Sequence, residues 1–250
     1  MPGMLGTGVG AADVGDTDVV VGEEGLACEQ PAIATTRAAA LTAMINLGRH
    51  MLVPSSSLVF VVNLTRIYTK AGDDGDTRLA DNSVVEKTHT RIGACGSVDE
   101  ALSAIGVAMA AGLPGDVLEV LTVVQNELFD VGADLSTPGG GNIAPASVTR
   151  LEAWCDQFNA DLPVARSFVL PGGAGAHLHL ARTVVRRAER SAWAAADEAG
   201  LTSDGAIASM TGINHDALRY LNRLSDLLFI LARHVNQVSG VPETLWQPSE

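Results

Sequence analysis

The chain has 250 residues, of which 47% are hydrophobic, and this is enough apolar material for one sizeable core or at most two small ones. Its formal net charge of −13 excludes a broad basic face for nucleic acid, so any anionic ligand must be held by a local cluster of cations. The three cysteines, Cys28, Cys95 and Cys155, are too scattered for a disulfide framework or a zinc site, which indicates a reducing, cytoplasmic environment.

Residues 1–62 differ in composition from the rest of the chain. The first 25 residues contain seven glycines and several acidic residues without a usable period, and they lack the basic region of a signal peptide. Residues 31–50 favour a weak Ala-rich helix and residues 54–62 a short strand, but we expect this extension to be largely disordered, or to reflect a mis-called start. We assign residues 63–250 to one functional domain. No apolar run approaches the roughly 18 residues of a membrane span.

A loop opens this domain, in the sequence "IYTKAGDDGDTRL". Its glycines and aspartates are typical of a turn, and Lys70 and Arg78 stand near its two ends. Backbone N–H groups of such a loop can form a phosphate nest, to which Lys70 and Lys87 would add charge. It is not a Walker A loop, because GxxxxGK[ST] occurs nowhere in the chain. An ordinary turn explains the loop equally well.

Helical periodicity dominates the remainder of the chain. Helices are predicted over residues 91–112, 115–134, 148–159, 177–198 and 214–236. Gly112 with Pro114, the stretch "STPGGGNIAPAS" and the stretch "LPGGAGA" supply the breaks. The last helix has a clear apolar stripe, formed by Leu218, Leu221, Leu224, Leu228 and Leu231. Short connections and almost no strand signal predict an all-α fold, a five-helix bundle.

The fourth predicted helix carries an arginine-rich face. Arg182, Arg186 and Glu189 are spaced four and then three residues apart, so they share one side of the helix. Arg187 and Arg190 lie beside them, and these four arginines are a quarter of the 16 basic residues in the chain. Arginine suits the two-pronged recognition of phosphate or carboxylate. The alternative is a solvated outer face.

Further polar residues lie off the apolar stripe of the fifth predicted helix. Asn222, Asp226 and Arg233 are candidates for a ligand site, and hydrogen bonding within the bundle is an equally good explanation. No metal site is predicted from the protein side chains. Glu86 and His89 have the ExxH spacing of a di-iron ligand pair, but no second such pair exists.

Taken in order, five stretches resemble the PduO-type ATP:cob(I)alamin adenosyltransferases. They are "IYTKAGDDGDT", "VVEKTHTRIGACGSVDEALSAIG", "FVLPGG", "ARTVVRRAER" and "LNRLSDLLFILAR", and the resemblance covers about residues 64–247. It implies a five-helix bundle with a flexible N-terminal nucleotide-binding segment. It also implies a homotrimer that holds ATP between adjacent subunits, transfers the 5′-deoxyadenosyl group to the cobalt of reduced cobalamin, and releases triphosphate.

The resemblance also implies roles for individual residues. The residues that match the phosphate loop are Thr69, Lys70, Gly72, Asp73, Gly75 and Thr77, and Lys87 matches a second lysine. The residues that match nucleotide contacts, and that we expect to be catalytic, are Arg186, Glu189 and Asn222. Asp99 and Arg182 match a pair that bridges subunits. Phe168 matches an aromatic residue beside the corrin. Mg²⁺ is the implied cation, and a cobalamin reductase or an adenosylcobalamin-dependent enzyme is an implied partner.

Some positions depart from the pattern of that family. Asp74 and Asp76 add negative charge beside a triphosphate, which weakens affinity unless Mg²⁺ offsets it. Cys95 replaces a common tyrosine, and the segment that follows Phe168 is about two residues shorter than usual. Asp74, Asp76 and the shortened segment motivate a different class of function, a sensor or chaperone that binds ATP and corrin without turnover. Another nucleotide-dependent transferase on a helical bundle is a further alternative.

Overall fold

The structure, a computed structural model, describes residues 68, 70, 72–199 and 212–249. Within these ranges the helices are α1 (Thr90–Ala110), α2 (Gly115–Ser136), α3 (Pro145–Asn159), α4 (Ala176–Glu198) and α5 (His215–Val238). The predicted five-helix, all-α fold is confirmed, and each helix end lies within three residues of its expected position. The helix and strand expected over residues 31–50 and 54–62 lie outside the described residues, as does the rest of the extension.

Helix α5 lies at the centre of the packing. It contacts α3 and α4, while α1 packs against α2 and α4. All five leucines of the predicted stripe on α5 are fully buried, and so is Tyr220. Two apolar side chains lie outside the core, since Val107 on α1 is 55% exposed and Phe129 on α2 is 41% exposed.

A buried carboxylate joins the end of α2 to the start of α5. Asp134 is fully buried, and its oxygens accept hydrogen bonds from the Asn142 side chain and backbone, from the Ile143 N–H at 3.0 Å, and from Asn214 Nδ2 at 2.8 Å. Asn214 also caps α5, because its side chain accepts from the Asp216 N–H. These contacts fix the residue at which α5 begins. They therefore also fix the positions of the polar residues along that helix.

The structure adds a small hairpin that the sequence did not predict. Strands β1 (Asp76–Arg78) and β2 (Val84–Glu86) pair antiparallel, with Thr77 opposite Val85. Strands of three residues are too short for an alternating pattern to be recognised. Buried Leu79 lies at the end of β1, and its N–H donates to the Ser83 carbonyl at 2.9 Å. The hairpin links the loop with the sequence "IYTKAGDDGDTRL", called the glycine–aspartate loop below, to the start of α1.

Helix α1 is long and apolar enough, by length and composition alone, to cross a membrane. A core helix of a soluble protein passes the same test, so the length and composition of α1 are weak evidence for a membrane span. The helix is not an uninterrupted apolar run, since it contains Arg91, Asp99 and Glu100. The buried Arg91 side chain donates to the Leu135 carbonyl at 2.8 Å, which ties α1 to the end of α2.

Candidate active site

The glycine–aspartate loop folds onto the lysine that follows the hairpin. Lys87 Nζ donates to the Gly72 carbonyl at 2.6 Å, and the Lys87 N–H donates to the Gly75 carbonyl at 2.8 Å. A Cβ atom at position 72 would lie 3.0 Å from Lys87 Nζ, so glycine permits this close approach. Gly75 has a φ of 96°, a conformation that L side chains rarely adopt. The structure therefore brings Lys87 to the loop, as the sequence suggested.

The other predicted loop residues are placed as follows. Lys70 and Asp73 are exposed, and the Asp73 N–H donates to the Lys70 carbonyl at 3.3 Å. Thr77 is half-buried in β1. Thr69 lies outside the described residues. Asp74 and Asp76 are exposed.

The arginines of α4 have different surroundings. Arg187 forms an ion pair with Glu100 of α1, and Arg190 Nη1 donates to the Arg186 carbonyl at 3.2 Å. Arg186 is exposed and forms no ion pair with another described residue. Arg187 is thus paired with an acidic side chain, whereas Arg186 and Arg190 form no ion pair with a described carboxylate.

The polar faces of α4 and α5 meet next to Arg186. Burial raises the pKa of Glu189, the Arg186 charge lowers it, and Asp226 of α5 raises it. Burial lowers the pKa of Arg182, and the neighbouring Arg186 charge acts in the same direction. Asn222 is exposed one turn before Asp226 on α5. Residues predicted separately on two helices thus belong to one electrostatic environment.

Arg182 also contacts an aromatic ring. Its guanidinium carbon lies 5.5 Å from the centroid of the Phe229 ring, within the range of a cation–π interaction. Asp99 lies on α1, and partial burial of its carboxyl raises its pKa. Asp99 and Arg182 form no ion pair among the described residues of the single chain, so a contact between subunits stays a prediction.

Phe168 lies at a separate place in the chain, in the loop that precedes α4. It is 79% exposed, and its ring stands 6.2 Å from that of Trp246 in an edge-to-face arrangement. The C-terminal tail runs beside this loop: the Leu170 N–H donates to the Thr244 carbonyl, and the Trp246 N–H donates to the Phe168 carbonyl, both at 2.8 Å. Sequence reasoning missed Trp246, and the available signal was a tryptophan outside any helix in a chain with 4% aromatic residues.

Arg233 has a structural role. The sequence left it open between a ligand site and bundle packing, and in the structure its side chain is 5% exposed and pairs with Glu243. Among the described residues, no group of three or more His, Cys, Asp or Glu side chains is arranged to hold a metal ion.

Comparison with known proteins connects these features to a family. The family model "Cobalamin adenosyltransferase" matches residues 67–235. The chain is 52% identical to a corrinoid adenosyltransferase of Mycobacterium tuberculosis over 197 residues, which cover 75% of this chain and 95% of that protein. It is 37% identical to a corrinoid adenosyltransferase of Bacillus subtilis over 193 residues, which cover 74% of this chain and 93% of that one.

A solved structure is similar in both fold and sequence. It is a variant of the PduO-type ATP:corrinoid adenosyltransferase from Lactobacillus reuteri, in complex with cobalamin and ATP. The TM-score is 0.64 at 33% identity, and the match covers 74% of this chain and 98% of that one. The motifs, the helical bundle and these matches agree, and the chain belongs to the cobalamin adenosyltransferase family.

Proposed function

We propose that this protein transfers the 5′-deoxyadenosyl group of ATP to the cobalt of reduced cobalamin, giving adenosylcobalamin and triphosphate. Membership of the family supports the reaction, and one observation supports the site. Arg186, in a strongly acidic chain, presents an exposed guanidinium with no described ion-pair partner beside Glu189 and Asp226. Such a local cation is what an acidic protein needs in order to bind a polyphosphate.

The reaction requires positioning and charge stabilisation rather than a protein nucleophile. Cobalt(I) supplies the electron pair of the new Co–C5′ bond. The C5′–O bond breaks, its electron pair leaves with triphosphate, and the cobalt becomes formally cobalt(III). Holding C5′ near cobalt is worth roughly 7–11 kcal/mol in well-aligned reactions. Fixed cations at the leaving group stabilise its developing charge.

Different residues of this chain provide the positioning and the charge stabilisation. Lys87 and Lys70 bring charge to the glycine–aspartate loop, which encloses the triphosphate, with Thr69, Asp73 and Thr77 in the same segment. Arg186 contacts the phosphates from α4, and Glu189 and Asn222 hold the nucleoside. Mg²⁺ would neutralise part of the triphosphate charge, and the exposed loop carboxylates of Asp73, Asp74 and Asp76 would be the protein groups available to hold it.

The cobalamin side is formed by exposed aromatic rings. Phe168 and Trp246 are 79% and 47% exposed and stand side by side, so they form a joint exposed aromatic surface. An apolar wall suits the corrin, and Phe168 excludes the lower axial ligand from the cobalt. A corrin that contacts both rings would bury them.

We propose a homotrimer as the working assembly, with ATP between adjacent subunits and an Asp99–Arg182 contact across the interface. The exposed face of α1, which includes Val107, gives that interface an apolar component. A reductase that supplies cob(I)alamin, or an enzyme that uses adenosylcobalamin, is the expected partner, and the cytoplasm is the expected location.

One experiment separates turnover from binding alone. The full chain is mixed with ATP, Mg²⁺ and cob(I)alamin under strong reductant, and the absorbance of adenosylcobalamin is followed. Product formation with release of triphosphate supports the enzyme. Binding of both ligands without product supports the sensor or chaperone, which the exposed Asp74 and Asp76 motivate.

A further inference from the structure

The two aromatic rings on the cobalamin side stand on two segments outside the helices. Phe168 belongs to the loop between α3 and α4, and Trp246 belongs to the tail after α5. The segments meet through an isolated bridge between Val169 and Leu245 and the two backbone hydrogen bonds that flank it. Ser167 Oγ also donates to the Trp246 carbonyl at 2.8 Å. Because an isolated pair of short strands is marginally stable, something else must hold these segments in place.

Arg233 of α5 anchors both segments. Its Nε donates to Glu243 Oε1 at 2.6 Å, and its Nη2 donates to Glu243 Oε2 at 3.2 Å and to the Pro163 carbonyl at 2.6 Å. Glu243 comes directly before the paired tail residues, and Pro163 lies five residues before Phe168. One buried guanidinium therefore fixes the tail and the start of the loop at the same time.

Asn236, one turn further along α5, fixes the other end of the loop. Its Oδ1 accepts from the Gly175 N–H at 2.9 Å, and its Nδ2 donates to the Gly172 carbonyl at 3.2 Å. Its backbone carbonyl accepts from the Val241 N–H at 2.9 Å, where the tail begins. The loop that carries Phe168 is thus tied to α5 before and after the ring.

We propose that Arg233 and Glu243 are positioning residues for cobalamin, which act by holding Phe168 and Trp246 in one fixed arrangement. The inference rests on the proposed function, in which these rings contact the corrin. A buried ion pair contributes little net stability compared with an apolar pair of the same size, because both charges must be desolvated. What the ion pair contributes is geometric specificity, because the two-pronged contact between guanidinium and carboxylate allows only one geometry.

Glu243 is a sharper probe than Arg233. The Arg233 guanidinium carbon lies 6.0 Å from the centroid of the Phe229 ring, which Arg182 also contacts. A substitution of Arg233 would therefore also disturb the surroundings of Arg182, near the proposed nucleotide site. The Glu243 side chain is 18% exposed and belongs to the tail alone. A change there tests the anchor without altering α5.

The test compares Glu243→Gln with the wild-type full chain, and it uses Phe168→Ala as a reference for loss of a corrin contact. Loss of a charge-assisted hydrogen bond corresponds to a change of about tenfold or more, which we expect in the KM for cob(I)alamin. The KM for ATP is expected to stay within about twofold, since the nucleotide residues are untouched. A second readout is hydrogen exchange at the Leu170 and Trp246 amides, which is expected to accelerate while core amides of α5 remain protected.

Glu127→Gln is the matched control. Glu127 is a buried carboxylate that pairs with Arg150 and accepts from the Tyr220 hydroxyl at 3.0 Å, away from the tail. Its substitution removes a buried charge without touching either segment, so the KM for cobalamin and the tail amides should not change selectively. If Glu243→Gln does not fold, Glu243→Asp keeps the charge on a shorter side chain and serves instead.

Three outcomes overturn the inference. Unchanged exchange at Leu170 and Trp246 means that the ion pair does not hold the segments. Faster exchange with an unchanged KM for cobalamin means that the pair is only structural. A wild-type protein that forms no adenosylcobalamin overturns the proposed function and this inference with it, whereas an active wild type with an unaffected Glu243→Gln variant overturns this inference alone.

Discussion

Arg186 and Arg187 show how much the role of a charge depends on its immediate contacts. They are adjacent on α4, yet Arg187 forms an ion pair with Glu100 of α1 while Arg186 forms none with a described residue. Spacing along the helix placed Arg186 on one face with Arg182 and Glu189. Only the contacts distinguish the paired cation from the unpaired one.

Substitution of Arg186 tests its assignment to ATP. Arg186→Ala should lower kcat/KM by about 100-fold or more, because a fixed donor to the leaving group is lost. Arg187→Ala, which removes an exposed ion pair with Glu100, should stay within about threefold. Steady-state kinetics measure both, and size-exclusion chromatography checks that assembly is unchanged. An Arg186→Ala enzyme with the wild-type kcat/KM would contradict the assignment.

Glu189 links the site to pH. Burial raises its pKa in the folded protein, so folding favours the protonated carboxyl. Stability is therefore lost as the pH rises from the ordinary value of a glutamate through this raised value, and the loss is complete above it. Glu189→Gln should accordingly increase the melting temperature at pH 7. The gain should vanish at about pH 3, where the carboxyl is protonated in both states. Melting curves across this range measure the effect, while activity at pH 7 should fall because a nucleotide contact is lost. An equal gain at both pH values would show that ionisation is not its cause.

At the scale of the elements, close backbone approach determines how α4 meets α5. A Cβ atom at Gly175 would lie 2.2 Å from the Ala232 carbonyl oxygen, which is backbone and cannot rotate away. The short 3₁₀ turn Gly173–Gly175 therefore passes across α5 only because it lacks side chains there. The sequence "LPGGAGA" indicated a break in the chain, but it did not indicate this contact.

A pair of glycine substitutions tests the close approach. Gly175→Ala should destabilise the protein by about 1–3 kcal/mol, because the helices must move apart. Gly93→Ala on α1 meets nothing within 4 Å, and alanine in a helix should stabilise by about 0.5–1 kcal/mol. Urea denaturation of both variants gives the two free energies of unfolding. Equal effects would mean that Gly175 has no special packing role.

At the scale of the whole molecule, the proposed trimer assigns a role to Asp99 and Arg182. They form no ion pair with each other in the single chain, and the proposal places them in contact across subunits. Asp99→Asn, Arg182→Ala and the double variant form a cycle, and the double variant should be less impaired than the sum of the two single losses predicts, by about 0.5–3 kcal/mol. Activity and trimer dissociation are both measured. Strictly additive losses would show that the residues do not meet.

The extension offers a second test at this scale. The family model begins at residue 67, and the match to the Mycobacterium tuberculosis relative covers 95% of that protein but 75% of this chain. Deletion of residues 1–60 should leave kcat/KM within about twofold, since the loop with Lys70 is retained. Deletion of residues 1–71 removes Thr69 and Lys70 and should raise the KM for ATP about tenfold or more. A loss of activity in the shorter deletion would show that the extension takes part in function.

The sequence by itself determined the five helices, the apolar stripe of α5, and the candidate residues on α4 and in the glycine–aspartate loop. These features depend on local spacing, turn chemistry and residue type, which the chain carries in linear order. Resemblance to a family added roles to positions, and similarity in sequence and fold established the family.

Only the tertiary structure decided which residues meet. It brought Lys87 back to Gly72, paired Arg187 with Glu100, and formed a hairpin from strands too short to recognise. It also joined Arg233 to Glu243 and placed Trp246 against Phe168, far apart along the chain. The physical reason is that such contacts depend on how helices pack and where loops return. Packing is a property of all the elements together, which no local pattern encodes.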